Sequence, residues 1–141
     1  MDSRITEEME DGMQFHRSFS GAPWESLVGY CRSLRAGDRV FVTGTAPVAE
    51  GGGVHGVGDG YRQGVRCFDV IREALAAEGA EFSHVVRTRM FVTDIERWEE
   101  FGRAHQEVLG ENPRTTTMVE VSPLIDPDIL IEIEADAIVT D

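Results

Sequence analysis

The most constraining stretch of this chain is its last strand-like run, residues 129–139, ILIEIEADAIV. In an extended chain, successive side chains point to opposite faces. Ile129, Ile131, Ile133, Ala135 and Ala137 therefore share one face, and Leu130, Glu132, Glu134 and Asp136 share the other. The first face is built for a core. The second carries three carboxylates, so it lies in water or at a subunit interface rather than under helices.

The remaining elements fit a sheet with one covered face. Met13 to Ser20 alternates roughly and reads as a first strand, Val28 to Leu34 as a weaker one, and Arg39 to Thr43 as a stronger one after the Gly37-Asp38 turn signal. Residues 46–60 hold Pro47 and six glycines and read as a loop. A helix is predicted from about Asp59, a capping residue, to Ala77, ended by Gly79. Its Val65, Phe68, Ile71 and Leu75 recur at helical spacing. Val85 to Val92 is the next strand, with Val86, Thr88, Met90 and Val92 on one side and Arg87, Arg89 and Phe91 on the other. A second helix runs from Ile95 or Arg97 to Leu109, with Trp98, Phe101 and Val108 inward. Thr115–Val121 is a further strand, separated from the last by a turn that Pro123 and Pro127 punctuate. Two helices on one face of a mixed sheet give an α+β fold. Residues 1–12, acidic and polar, read as a disordered leader rather than a secretory signal, and 13–141 as a single domain.

Charge removes several functions. The net charge of −13 comes from 26 acids against 13 bases, and all 13 bases are arginine. Without lysine there is no Schiff-base chemistry. So acidic a chain is a poor match for nucleic acid or for anionic lipid. No apolar run reaches the ~20 residues of a membrane helix. Cys31 and Cys67 form no disulfide framework and suit a reducing, cytoplasmic compartment. The scattered His16, His55, His84 and His105 show no metal-ligand spacing, so no metal site is expected. His105 follows Trp98 and Phe101 at core spacing and reads as a packed histidine. The glycine-rich 50–60 loop lacks the spacing of a nucleotide fingerprint and reads as a surface loop.

Taken together, GYCRSLRAGDRVFVTG (29–44), YRQ (61–63), HVVRTRMFVTDIERWEEF (84–101), TTTMVEV (115–121) and LIEIEADAI (130–138) resemble the RidA/YjgF family, first described as L-PSP endoribonucleases. The resemblance spans about Phe19 to Thr140. It implies a chorismate-mutase-like fold and a homotrimer with a central β-barrel and inter-subunit clefts. It also implies cofactor-free hydrolysis of reactive enamines and imines to a carbonyl compound and ammonia. By the same resemblance Tyr30 is the family tyrosine and Glu132 the glutamate that positions water. The carboxylate-clamping arginine falls on Thr116, the pocket cysteine on Met118 and the pocket asparagine on Gly102.

A guanidinium binds a carboxylate through two parallel hydrogen bonds, and threonine cannot. The missing clamp points away from an ordinary α-imino acid as substrate. Arg89, with Arg87, and Arg114, which needs a two-residue slip, are candidate replacements. The other reading of Arg87 and Arg89 is pairing with Glu120, Glu132 or Glu134 on the acidic face. By alternation Thr116, Met118 and Phe91 are expected to line the cleft, Thr116 and Tyr30 orienting ligand and Met118 and Phe91 shaping the pocket. An arginine within reach of Glu132 indicates an anionic substrate, and its absence a neutral or cationic one. The competing readings are a non-catalytic small-molecule-binding or chaperone-like trimer, and a ribonuclease, which the charge opposes.

Overall fold

The computed structural model describes residues 5–10 and 12–140. Seven strands form one sheet in the order β1-β2-β3-β4-β7-β5-β6. They are β1 (Ile5–Glu10), β2 (Met13–Ser18), β3 (Ser33–Ala36), β4 (Arg39–Thr45), β5 (Val85–Val92), β6 (Thr115–Glu120) and β7 (Ile131–Ile138). Every neighbouring pair is antiparallel except β5 and β6. A parallel pair needs a long crossover, and here helix α3 (Trp98–Leu109) supplies it. Helix α2 (Gly60–Ala77) joins β4 to β5, and β7 then slots between those two strands, antiparallel to both.

The last strand behaves as its alternation requires. Ile131, Ile133, Ala135 and Ala137 are buried with Val40 and Val42 of β4, Met90 and Val92 of β5, Phe68, Ile71 and Leu75 of α2, and Phe101 of α3. Each large side chain in this layer contributes about 1.5–3 kcal/mol by leaving water. Asp59 caps α2, its Oδ1 accepting from the Arg62 N–H at 3.0 Å, and Gly79 stands beyond its end at φ +74°. Asp94 accepts from the Glu96 N–H at 3.0 Å and starts a 3-10 turn, Ile95–Arg97, that leads into α3. Among the described residues no helix is long and apolar enough to cross a membrane. The architecture is α+β, a mixed sheet with two helices on one face.

Four expectations change. The stretch read as a disordered leader contains β1, paired along its length with β2. Acidic residues are unsuited to a core position but not to an edge strand, which pairs on one side and leaves its outer backbone groups to solvent. Residues 1–4 and 11 of that stretch lie outside the described residues, as does residue 141. A short helix, α1 (Pro23–Val28), precedes β3 where a strand starting at Val28 was expected. Val85, not Val86, is in the core, because the β5–β7 register shifts between Val85 and Arg87 and turns Val86 outward. Trp98 is exposed at the start of α3 rather than inward.

Candidate functional site

The site grows from three pieces of chain. Pro23 starts α1 and Gly29, at φ +90°, ends it in the left-handed region that glycine enters without cost. That cap delivers Tyr30 and then Arg32 to the head of β3, where the Arg32 carbonyl accepts from the Thr43 N–H at 3.1 Å. The second piece is β4. Its register to β7 passes from Val42↔Ala135 to Thr45↔Ile133, so Thr43 and Gly44 together stand against one residue, Glu134. This bulge bends the strand beside the third piece, Glu132, which lies near the start of β7 opposite Phe91.

These pieces meet at Gly44. A Cβ at this position would meet the tip of the Glu132 side chain, so any larger residue displaces the carboxylate from where it rests. Arg32 approaches the same residue, its Nη2 donating to the Gly44 carbonyl at 2.9 Å. Arg32 Nε is the one buried side-chain nitrogen or oxygen that has no hydrogen-bond partner among the described residues. Arg32 also makes no ion pair among them.

Burial sets the electrostatics. It pushes the Glu132 carboxyl above the usual carboxylate range, against the pull of Arg32 and with added repulsion from Glu134. Burial also lowers the Arg32 guanidinium, offset by Tyr30, Glu25 and Glu132. Glu25 is itself committed elsewhere. It is buried and accepts from the Ser20 hydroxyl at 2.6 Å and from the Gly21 N–H at 3.2 Å. The arrangement is a partly desolvated acid able to move a proton, with a guanidinium and a phenol nearby.

The other expected site residues are distributed differently. Phe91 lies on the open face beside Glu132, as alternation indicated. Thr116 and Met118 do not share that face within the protomer. β6 pairs in parallel with β5 through Thr88↔Thr116 and Met90↔Met118, and Thr88 and Met90 are buried toward the helices. Thr116 accordingly bonds Thr88 at 2.7 Å, Thr88 bonds His105 at 2.7 Å, and Met118 packs on the core. Alternation sorts side chains into two groups, and only the partner strand says which group meets the helices. Glu120 falls on the helix side for the same reason, where it accepts from the Ile95 N–H at 3.0 Å.

Arg89 lies 3.4 Å from both Glu134 and Asp136, the ion-pair reading of that residue. Arg114 donates to the backbone carbonyls of Asn112 and Ser83 at the β6 edge and stands apart from Glu132 within the chain. Gly102 sits on α3, with only Trp98 near its missing side chain. His105 is half-buried and stacks edge-on to Phe68 with ring centres 5.7 Å apart, a packed histidine whose pKa burial lowers. Arg32 and Gly44 were not singled out from sequence. Their only signal was the i, i+2 spacing of Tyr30 and Arg32, which puts both on one side of an extended segment.

Comparison with known proteins places this geometry. The family model described as Endoribonuclease L-PSP matches residues 21–139. The chain belongs to the RidA/YjgF (L-PSP) family. The Streptomyces coelicolor protein SCO2049 is 36% identical over 118 residues, 84% of this chain and 87% of its own. A crystal structure of Rv2704 from Mycobacterium tuberculosis, described as a member of the YjgF/YER057c/UK114 family, is 38% identical. It superimposes with a TM-score of 0.78 over 98% of this chain and 100% of that one. The 3-aminoacrylate deaminase RutC of Acinetobacter baylyi is 28% identical over 111 residues, 79% of this chain and 87% of its own. These relatives share the RidA-type fold, chorismate-mutase-like in architecture, across nearly the whole domain.

Proposed function

We propose that this RidA/YjgF protein hydrolyses a small enamine or imine to the corresponding carbonyl compound and ammonia. The observation that carries the reading is Glu132, half-buried against Gly44 with its carboxyl pushed toward the neutral form. An acid poised nearer to neutrality both takes and returns a proton, which is what water addition to C=N requires. An enamine first becomes its imine by gaining a proton on carbon and losing one from nitrogen. Water then adds to the imine carbon; one proton passes to Glu132 and is returned to nitrogen. The adduct's hydroxyl proton then passes by way of Glu132 to the amino nitrogen, C=O forms as the C–N bond breaks, and ammonia departs. Tyr30 orients the ligand by its hydroxyl and Phe91 shapes the apolar wall.

The reading includes a homotrimer in a cytoplasmic setting, with each cleft completed by a neighbouring protomer. Its support is the open sheet face, which exposes Phe41, Val86 and Val119 beside Arg87 and Arg89. In such an assembly Thr116, Met118, Gly102 and Arg114 meet the cleft from the neighbour's side. Light scattering that returns a monomer removes this part of the reading.

The test is turnover. An imine generated in situ by an amine or amino-acid oxidase is followed by ammonia release with and without purified protein. Glu132→Gln is expected to lose at least about 100-fold in rate. Unchanged imine half-lives with wild-type protein, for charged and neutral imines alike, overturn the enzyme reading. They would favour a non-catalytic binding trimer, the reading supported by threonine standing at position 116 in place of the clamping arginine.

A further inference from the structure

We propose that Arg32 is the specificity-determining residue of this site, its guanidinium holding a carboxylate of the substrate beside Glu132. The inference rests on the reading of Glu132 as the water-activating acid and adds the class of substrate that acid serves: an imine or enamine bearing a single carboxylate.

The argument begins with an imbalance of charge. A guanidinium taken out of water needs an anion or a full set of hydrogen bonds. Arg32 has neither: one bond to the Gly44 carbonyl, a buried Nε–H with no partner, and no ion pair among the described residues. The nearby acids do not serve it. Glu25 is saturated by Ser20 and Gly21, and Glu132 makes no hydrogen bond or ion pair with Arg32 among the described residues.

The placement is equally specific. Arg32 and Glu132 converge on one residue, Gly44, from different strands. The side chain is part-buried, with Nε enclosed and Nη2 on the Gly44 carbonyl beside the acid. A planar guanidinium presents paired N–H groups that match the two oxygens of a carboxylate. The monoanion is favoured over phosphate because Glu132 and Glu134 flank the position and the whole chain carries −13. Arg89 and Arg114 do not compete for the role. The first is paired with Glu134 and Asp136, and the second is bonded to main-chain carbonyls.

The test reads binding, not turnover. Wild-type protein and Arg32→Gln are titrated calorimetrically with 2-oxobutanoate, a carboxylate-bearing carbonyl product, and with butanone, its neutral counterpart. Arg32→Gln is expected to weaken 2-oxobutanoate by at least about tenfold and to leave butanone unchanged. Added sodium chloride is expected to weaken the first and not the second. Equal affinity of wild type and Arg32→Gln for 2-oxobutanoate overturns the proposal, as does a wild type that does not bind it.

Should Arg32→Gln fail to fold, the arginine Nε–H resonances of the wild type decide. Movement of the Arg32 signal with 2-oxobutanoate supports the proposal, and a stationary signal overturns it. The two readings fail separately. Arg32-dependent binding without hydrolysis of any imine ends the enzyme reading and leaves the anion site. Hydrolysis of neutral imines without 2-oxobutanoate binding does the reverse.

Discussion

The Glu132 carboxylate rests on Gly44, its Oε1 standing where a Cβ would meet it. The contact joins the bulge of β4 to the start of β7. It makes the orientation of the acid a property of two strands rather than of one rotamer. Gly44→Ala is therefore expected to swing the carboxylate off its position. Turnover should fall at least about tenfold, while Gly44→Ala combined with Glu132→Ala should be no less stable than Gly44→Ala alone. Steady-state kinetics and melting curves check both halves.

Glu132 also makes a signed prediction about pH. Its folded pKa is raised by burial. Below the ordinary carboxylate value of about 4.3 the acid is neutral in both states and costs nothing. As pH rises from there through the folded pKa, the unfolded chain gives up its proton first and the fold loses stability. Glu132→Gln removes that penalty. The variant should match wild type in acid and exceed it near neutrality, as read by denaturant melts across that range.

Glu78 should be a larger structural determinant than its place at a helix end suggests. Its side chain is buried, accepts from the Ser33 hydroxyl at 2.7 Å and bonds His16 of β2, while its carbonyl accepts from Arg35 at 2.9 Å. One residue thus ties β2 and β3 to the end of α2. Glu78→Ala removes the acceptor that Ser33 and His16 share and is expected to cost about 1–3 kcal/mol. Glu78→Gln, which keeps most of the bonding, should cost less. Denaturant unfolding distinguishes the two.

Thr88, itself buried, bridges half-buried His105 and exposed Thr116, at 2.7 Å to each. Thr88→Val keeps the volume and removes the bridge. Half-buried His105 is left unmatched while exposed Thr116 turns to water, and the expected loss is about 1 kcal/mol of stability. His105 has a pKa lowered by burial. Its neutral state therefore supports the fold above about pH 6.5, and that support is lost as pH falls toward the depressed value. His105→Gln should flatten the acid limb of the wild-type stability profile.

What could be read from the chain depended on the range over which each signal acts. The alternation of Ile131, Glu132, Ile133 and Glu134 is local, and it identified both the covered face and the acid. Asp59 and Gly79 are equally local punctuation, and α2 lies between them. Helix α1 escaped because six residues are too few for a periodic pattern. Thr116 and Met118 were put on the wrong side because a strand's sidedness is set by its partner. Here that partner is β5, some 25 residues upstream across α3. Val86 was exchanged with Val85 by a register shift that no composition announces. Arg32 and Gly44 became part of the site only through a bulge that folds one strand toward another.

The two halves of the site are mounted on unequal supports. Glu132 belongs to a strand laced on both sides, to β4 and to β5. The amides of that strand from Ile133 on, paired on both sides, should be among the slowest in the molecule to exchange with deuterium. Tyr30 and Arg32 ride on the short span between α1 and β3, outside any ladder interior. Proton chemistry is thus anchored where the molecule yields last. Ligand preference is written on a connector that can be edited by a residue or two, so descendants of this scaffold can change diet without rebuilding the reactor.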